Sequence, residues 1–287
     1  MKANMNQFWR DGFAHVPKVF SPVFIDELRD DVYRTMGEDR KMGEEFLGGE
    51  LLSHPKLRRV LFEEKLYEIA RTLLESTPIY FGDSGVNVGT GQRGWHRDNR
   101  IPDRWVQTAE DWNGRYNLIR FGIYLQDHSK YSGGLGVRIG SHEVSPALRW
   151  LDGKGFNRIS RSLRLSTSYG KAFAVPTVPG DVVVWNLRTA HTGNTVRLRG
   201  IPSVKPWVPI ENNAPSFVRM DENKERVALF ITLAAEGRHL NSYIDYLRTR
   251  DYGRELLNNF HPSEESIEGL KKMDVKLMIP DLNSENF

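Results

Sequence analysis

NLIRFGIYLQDHSKYSGGLGVRIGSH, residues 117 to 142, is the stretch on which the fold turns. Apolar side chains alternate at Ile119, Phe121, Ile123 and Leu125, the period of a half-buried strand rather than a helix. Arg120 falls on the opposite face from that apolar set. A glycine-rich turn follows, then a second short run, Leu135 to Ile139, before Gly140-Ser141-His142. Working outward, the same grammar recurs in Ala172–Val175, in Val182–Trp185 after Pro179-Gly180-Asp181, and in Val227–Leu233. Short strands separated by turn residues, with few helices between them, predict a barrel or jelly roll and not a parallel α/β sheet.

Helical patterns flank this region. Ser21-Pro22 is an N-cap and first-turn pair, followed by Phe24, Ile25, Leu28 and Val32 at helical spacing. Phe62, Leu66, Ile69 and Leu73 form a second stripe, and Tyr243 to Met278 is helical again. These stripes are apolar faces packed on a core. The expected organisation is one domain over residues 1–287, mainly β with flanking helices: N-terminal helices to about 78, a β core from about 79 to 236, and C-terminal helices from about 237 to 280.

Composition narrows the function classes. The 287 residues, 39% of them apolar, can bury a full core, which excludes wholesale disorder. There is no cysteine, so disulfides, thiolate metal sites and cysteine nucleophiles are excluded. The longest apolar run, Val227 to Ala235, is far short of the ~20 residues of a membrane-spanning helix, and the opening MKANMNQFWRDGF has no apolar stretch of a secretory signal. A cytoplasmic protein with no membrane partner is expected. The net charge of +3, without a basic tail, argues against nucleic acid. One local concentration of charge remains, Arg93, Arg97, Arg100 and Arg104.

Gly89-Thr90-Gly91-Gln92-Arg93-Gly94 matches a dinucleotide fingerprint, but that motif requires a helix next, and the chain continues WHRDNRIPDRW with Pro102. It reads as a glycine turn. The chemistry lies just beyond it, in Trp95-His96-Arg97-Asp98. On a strand His96 and Asp98 share a face and can hold one metal together. A third candidate, His191, ends the strand of PGDVVVWNLRTAHTGN. Two histidines and one carboxylate make the facial triad of non-haem Fe(II) oxygenases, which leaves coordination positions open. His15, His54, His239 and His261 have no partner at ligand spacing; His128 and His142 read as turn residues with structural hydrogen bonds.

Taken in order, these segments resemble the phytanoyl-CoA dioxygenase-like family of Fe(II)/2-oxoglutarate oxygenases over most of the chain. FWRDGFAHVPKVFSPVFIDELRDDV is similar to the family's N-terminal strand and helix, WHRD to its metal pair, IRFGIYLQDHSKYSGGLGVRIGSH to its central segment, and PGDVVVWNLRTAHTGN to its distal-histidine strand. The resemblance implies a double-stranded β-helix (jelly-roll, cupin-like) with Fe(II) on His96, Asp98 and His191, 2-oxoglutarate as cosubstrate and O2 as oxidant. It also implies an arginine opening the last barrel strand to bind the far carboxylate of 2-oxoglutarate. Here the sequence departs from the family pattern: Arg197 and Arg199 come too early and residue 202 is Pro, so Arg226, opening RVALFI, takes the role. Residues from about 199 to 225 then become an inserted loop, expected to form a lid or substrate wall at the barrel mouth.

The implied reaction is oxidation, most simply hydroxylation, of a small molecule with release of succinate and CO2. Related halogenases lack the carboxylate supplied here by Asp98, so halogenation is not expected, while desaturation or ring closure stays open. Arg100, Arg120 and Trp207 are the expected substrate contacts, and the arginines suggest an anionic group on the substrate, unless Arg120 is exposed or the acids Asp98, Asp103 and Asp111 pair with these arginines. Two other readings stay open: a zinc hydrolase or isomerase on the same ligands, and a non-catalytic β-helix binding protein. Oligomeric state is not legible.

Overall fold

A computed structural model describes residues 2–37, 51–89, 96–98, 115–143, 172–201, 214–220 and 225–280. Helix α1 (Lys2–Asp11) leads into strand β1 (Phe13–Val16). Helix α2 (Pro22–Met36) starts where Ser21 Oγ accepts the Phe24 N–H, with Pro22 in the first turn, and buries Ile25, Leu28 and Val32. Helix α3 (Glu64–Leu74) buries Leu66, Tyr67, Ile69, Ala70, Leu73 and Leu74. The core strands are β2 (Ile79–Tyr80), β3 (Ser84–Val88), β4 (Leu118–Tyr124), β5 (Gly134–Arg138), β6 (Ala172–Ala174), β7 (Val182–Asn186), β8 (His191–Thr195) and β9 (Val227–Ala234). Helices α4 (Arg238–Arg248), α5 (Asp251–Asn258) and α6 (Glu264–Lys272) and the short strand β10 (Lys276–Leu277) complete the order. No described helix is long and apolar enough to cross a membrane.

Two sheets form the centre. One has the order β1-β7-β4-β9-β2-β10, with β3 also paired to β9; the other is β6-β5-β8. This is the jelly-roll arrangement expected. The larger sheet is buried on both sides, and that decides where each face of β4 points. Ile119, Phe121, Ile123 and Leu125 pack with Val182, Val184, Leu229 and Ile231 against the apolar faces of α2 and α3. The alternate face turns inward: Tyr124, Val183, Trp185 and Ala228 meet Leu135 and Val137 of the smaller sheet. Arg120 therefore looks into the barrel, between Trp185 and Thr232 in the register. The C-terminal helices close one end, where Leu240, Tyr243, Ile244 and Leu247 pack on Ile79, Phe81, Leu118 and Leu187.

Beyond β8 the chain does not leave the core at once. Leu198 bridges Arg219, the Arg199 N–H donates to Val218 O (2.9 Å), and the Met220 N–H donates to Arg197 O (2.8 Å). The expected inserted loop is thus tied back on itself near both ends. Residues 202–213 and 221–224, including Trp207, lie outside the described residues. So do Arg93, Arg100, Arg104 and residues 90–94 of the glycine turn.

Candidate metal centre

His96 and Asp98 reach the core through backbone pairing. The His96 N–H donates to His191 O and the His191 N–H to His96 O, both at 2.9 Å, and the Asp98 N–H donates to Leu187 O at 3.1 Å. This bridge sets the two imidazole rings 4.2 Å apart at 55°. Asp98 Oδ1 lies 3.9 Å from His96 Nε2 and 3.5 Å from His191 Nε2. All three ligand atoms fall within 4.8 Å of one another, the described residues' one group of this kind. Two imidazole nitrogens and one carboxylate oxygen, on one side of a common point, are a donor set for a divalent first-row metal.

The groups around this trio prepare it. His191 Nδ1 sits 3.0 Å from Thr189 O, so that nitrogen carries the proton and Nε2 presents its lone pair towards Asp98. The Trp185 indole N–H donates to Asp98 Oδ2 at 3.1 Å, leaving Oδ1 as the oxygen facing the histidines. Burial alone would raise the Asp98 pKa; the charge of Arg120, then His191, His96 and the Trp185 N–H, outweigh it and hold it at about 2. Burial pushes His191 down to about 4 against the pull of Asp98. Both groups therefore stand near neutral pH in the forms that bind metal.

Trp185 has its place because residue 122 is glycine. A Cβ at Gly122 would lie 2.8 Å from the indole Cζ3 and 3.1 Å from Tyr124 Cε2. Gly122→Ala is expected to cost ~1–3 kcal/mol through overpacking, and to weaken metal binding by tilting the indole off Asp98. Urea unfolding and metal titration measure the two effects; an unchanged metal affinity would show that the indole contact is not needed.

Arg226 is buried, 6% exposed, although it stands at the start of a strand. It precedes β9 opposite the end of β3, donates through Nη1 to Asn87 Oδ1, and lies 5.6 Å from the Tyr124 ring and 5.8 Å from the Phe230 ring. Phe230 in turn meets Trp185 at 6.1 Å, and Trp185 meets His191 at 5.2 Å, so aromatic rings link Arg226 to the metal trio. Burial raises the Tyr124 hydroxyl to about 12, with Arg226 opposing. Arg197, passed over in the sequence, is also buried, at 1% exposure, and burial lowers its pKa to about 10. Arg199 is exposed and donates to Arg219 O.

Arg120 meets anions of the protein's own: Nη2 donates to Asp83 Oδ2 (2.5 Å) and Nη1 approaches Asp98 Oδ1 (3.2 Å). Thr232 Oγ1 and the Tyr243 hydroxyl accept from it as well. Arg97 donates to Ser141 O. Trp185, Asp83, Tyr243 and Tyr124 were missed in the sequence; an arginine inside an otherwise apolar strand was the available signal that acids must converge there.

His128, edge-on to Tyr124 at 5.4 Å, gives a pH test. Burial, then the Arg226 charge, lowers its pKa to about 4. The unfolded chain takes up this proton near ~6.5 and the folded chain only near 4, so protons favour unfolding in between. The metal-free protein should hold full stability above pH ~6.5 and lose up to ~3 kcal/mol on this account as pH falls towards 4. Urea midpoints at pH 7 and 4.5 should differ less in His128→Gln than in the parent, the remainder coming from His191, whose pKa is lowered in the same direction; equal pH dependence would discount His128.

The sequence profile of the family described as Phytanoyl-CoA dioxygenase (PhyH) matches residues 8–197, a span that includes all three candidate ligands. Among solved structures, HygX from Streptomyces hygroscopicus with nickel and 2-oxoglutarate bound is similar at TM-score 0.57 and 15% identity, over 82% of this chain and 87% of that one. The non-heme alpha ketoglutarate dependent carbocyclase SnoK from nogalamycin biosynthesis gives 0.56 and 17%, over 82% and 84%. EctD from S. alaskensis with 2-oxoglutarate and 5-hydroxyectoine gives 0.51 and 18%, over 82% and 76%. At such identities the likeness is one of fold.

Proposed function

The chain belongs to the phytanoyl-CoA dioxygenase family of Fe(II)/2-oxoglutarate-dependent oxygenases, and from that premise we propose that it oxidises a small molecule at a metal centre formed by His96, Asp98 and His191. One observation carries the reading: a ligand atom from each of His96, Asp98 and His191 lies within 4.8 Å of the others, inside the family-matched span. The donor chemistry fits iron(II), which with 2-oxoglutarate and O2 supplies the oxidising power and releases succinate and CO2.

The chain's own groups bind, orient and exclude water. His191 and His96 each offer a ring nitrogen; Asp98 offers one oxygen while Trp185 occupies the other. Arg226 is the cosubstrate anchor, its buried guanidinium able to donate two parallel hydrogen bonds to a carboxylate. Aromatic rings from Trp185, Phe230 and Tyr124 floor the space between anchor and metal, which keeps bulk water from the reacting atoms. Hydroxylation is the outcome proposed. The relatives' bound molecules named in their structures, 5-hydroxyectoine and hygromycin B, support a small-molecule substrate.

An anaerobic titration with Fe(II) and 2-oxoglutarate, followed by a substrate panel scored by succinate release, tests the proposal. Saturable, metal-dependent binding of 2-oxoglutarate and substrate-stimulated succinate are expected. Metal binding without any 2-oxoglutarate consumption would favour the hydrolase reading instead.

A further inference from the structure

Behind the candidate metal ligands lies a buried charge network that the reaction itself does not call for. Arg120 on β4 divides its guanidinium between two carboxylates, 2.5 Å from Asp83 and 3.2 Å from Asp98. The Tyr243 hydroxyl, brought in by α4, donates to Asp83 Oδ2 at 2.9 Å and accepts from Arg120 Nη2 at 3.0 Å. Thr232 Oγ1 accepts from Arg120 Nε at 2.8 Å, while the Thr232 N–H donates to Asp83 O at 2.8 Å. Asp83 and Arg120 are thus fixed to β9 and α4 as well as to each other. The side chains are 9% and 16% exposed, so water screens the pair little.

The charge count is the point. A divalent cation at this centre would face one carboxylate, Asp98, and an arginine touching that same carboxylate oxygen would cancel its charge and compete for its lone pair. Asp83 removes the conflict. Its charge offsets that of Arg120, and its contact with the guanidinium is the shorter of the two.

We propose that Asp83 is a positioning residue of the metal centre: as the counter-charge to Arg120, held by Tyr243, it limits the hold of Arg120 on Asp98 Oδ1, 3.2 Å away, so that this oxygen can take a divalent cation. The inference rests on His96, Asp98 and His191 being the metal ligands. Partners of ligating carboxylates commonly change metal affinity ~10–100-fold when altered. Replacing Asp83 with asparagine leaves Arg120 with Asp98 as its one anionic partner among the described residues, and so weakens metal binding. Removing both charges together restores the original balance.

Calorimetric titration of the metal-free full chain with Mn(II), alongside urea unfolding, makes the test. The parent should bind and His191→Ala should not; failure of either result overturns the ligand reading and this inference with it. Given that result, Asp83→Asn should bind Mn(II) at least tenfold more weakly, and Asp83→Asn/Arg120→Gln should return to within about threefold of the parent. A purely structural role for Asp83 would lower the urea midpoint of both variants and leave Mn(II) affinity unchanged, which overturns the proposal. So would a double variant as weak as the single one. Should Asp83→Asn not fold, Tyr243→Phe carries the test: loss of the phenol hydroxyl frees Arg120 towards Asp98 and should weaken Mn(II) binding about threefold, whereas parental affinity in that variant overturns the assignment.

Discussion

Alanine at His96, Asp98 or His191 is expected to abolish metal-dependent succinate formation while the chain stays folded. Each substitution removes one of three convergent donors, and with two left the site no longer holds a metal at working concentrations. The three should differ in stability. His96 is the most exposed of the trio, with a quarter of its side chain open, and its loss should cost least. Asp98→Ala strips an acceptor from the Trp185 N–H and one carboxylate from Arg120, at a cost of ~1–3 kcal/mol. Arg120 nevertheless keeps Asp83, so no isolated buried charge remains. Metal titration, circular dichroism and succinate release separate loss of ligand from loss of fold. Near-normal turnover in any one variant would strike that residue from the ligand set.

Arg226→Ala is the second large effect. Loss of a buried, charge-assisted fork from the cosubstrate carboxylate should raise the 2-oxoglutarate requirement by roughly 30- to 1,000-fold, the equivalent of ~2–4 kcal/mol. Asn87 and Tyr124 sit beside Arg226, and Arg226→Lys keeps a charge there without the planar fork, so it should recover only part of the affinity. Arg199→Ala, at the surface, should be close to silent. Arg197 is the informative control because it is as buried as Arg226. A larger effect of Arg197→Ala on 2-oxoglutarate binding would move the anchor from the start of β9 to the chain just past β8.

The strands were legible because their side chains alternate, and the ligand trio because two of its members stand two residues apart. His96, Asp98 and His191 needed only short-range pattern plus order along the chain. What pattern could not supply was the sense of each face. Period alone does not say whether Ile119, Phe121 and Ile123 line the barrel or its outside; the helices α2 and α3 decide that by covering them. With that face outward, Arg120 had to point in, and its partners come from residues far along the chain, Asp83 and Tyr243. Asp83, next to glycine, reads locally as an ordinary turn acid. Trp185 looked like one more apolar strand residue, although its N–H is the group that matters. Strand β10, two residues long, has no period to detect.

The weave of the larger sheet has a kinetic consequence. Phe13 pairs with Trp185, and Ser84 with Ile231, so β1 and β3 each wait for a partner well over a hundred positions later. Loop closure must come before any reward from these pairings, which places the chain among slow folders of high contact order, in milliseconds to seconds rather than microseconds. During synthesis β3 emerges long before β9 can cover it, with unpaired backbone and apolar Val86 and Val88 on display. A chain built in this way depends on shielding of its early strands until the last one arrives. Destabilising changes in β9 should therefore show up first as poor yield of folded protein, before they show up as altered catalysis.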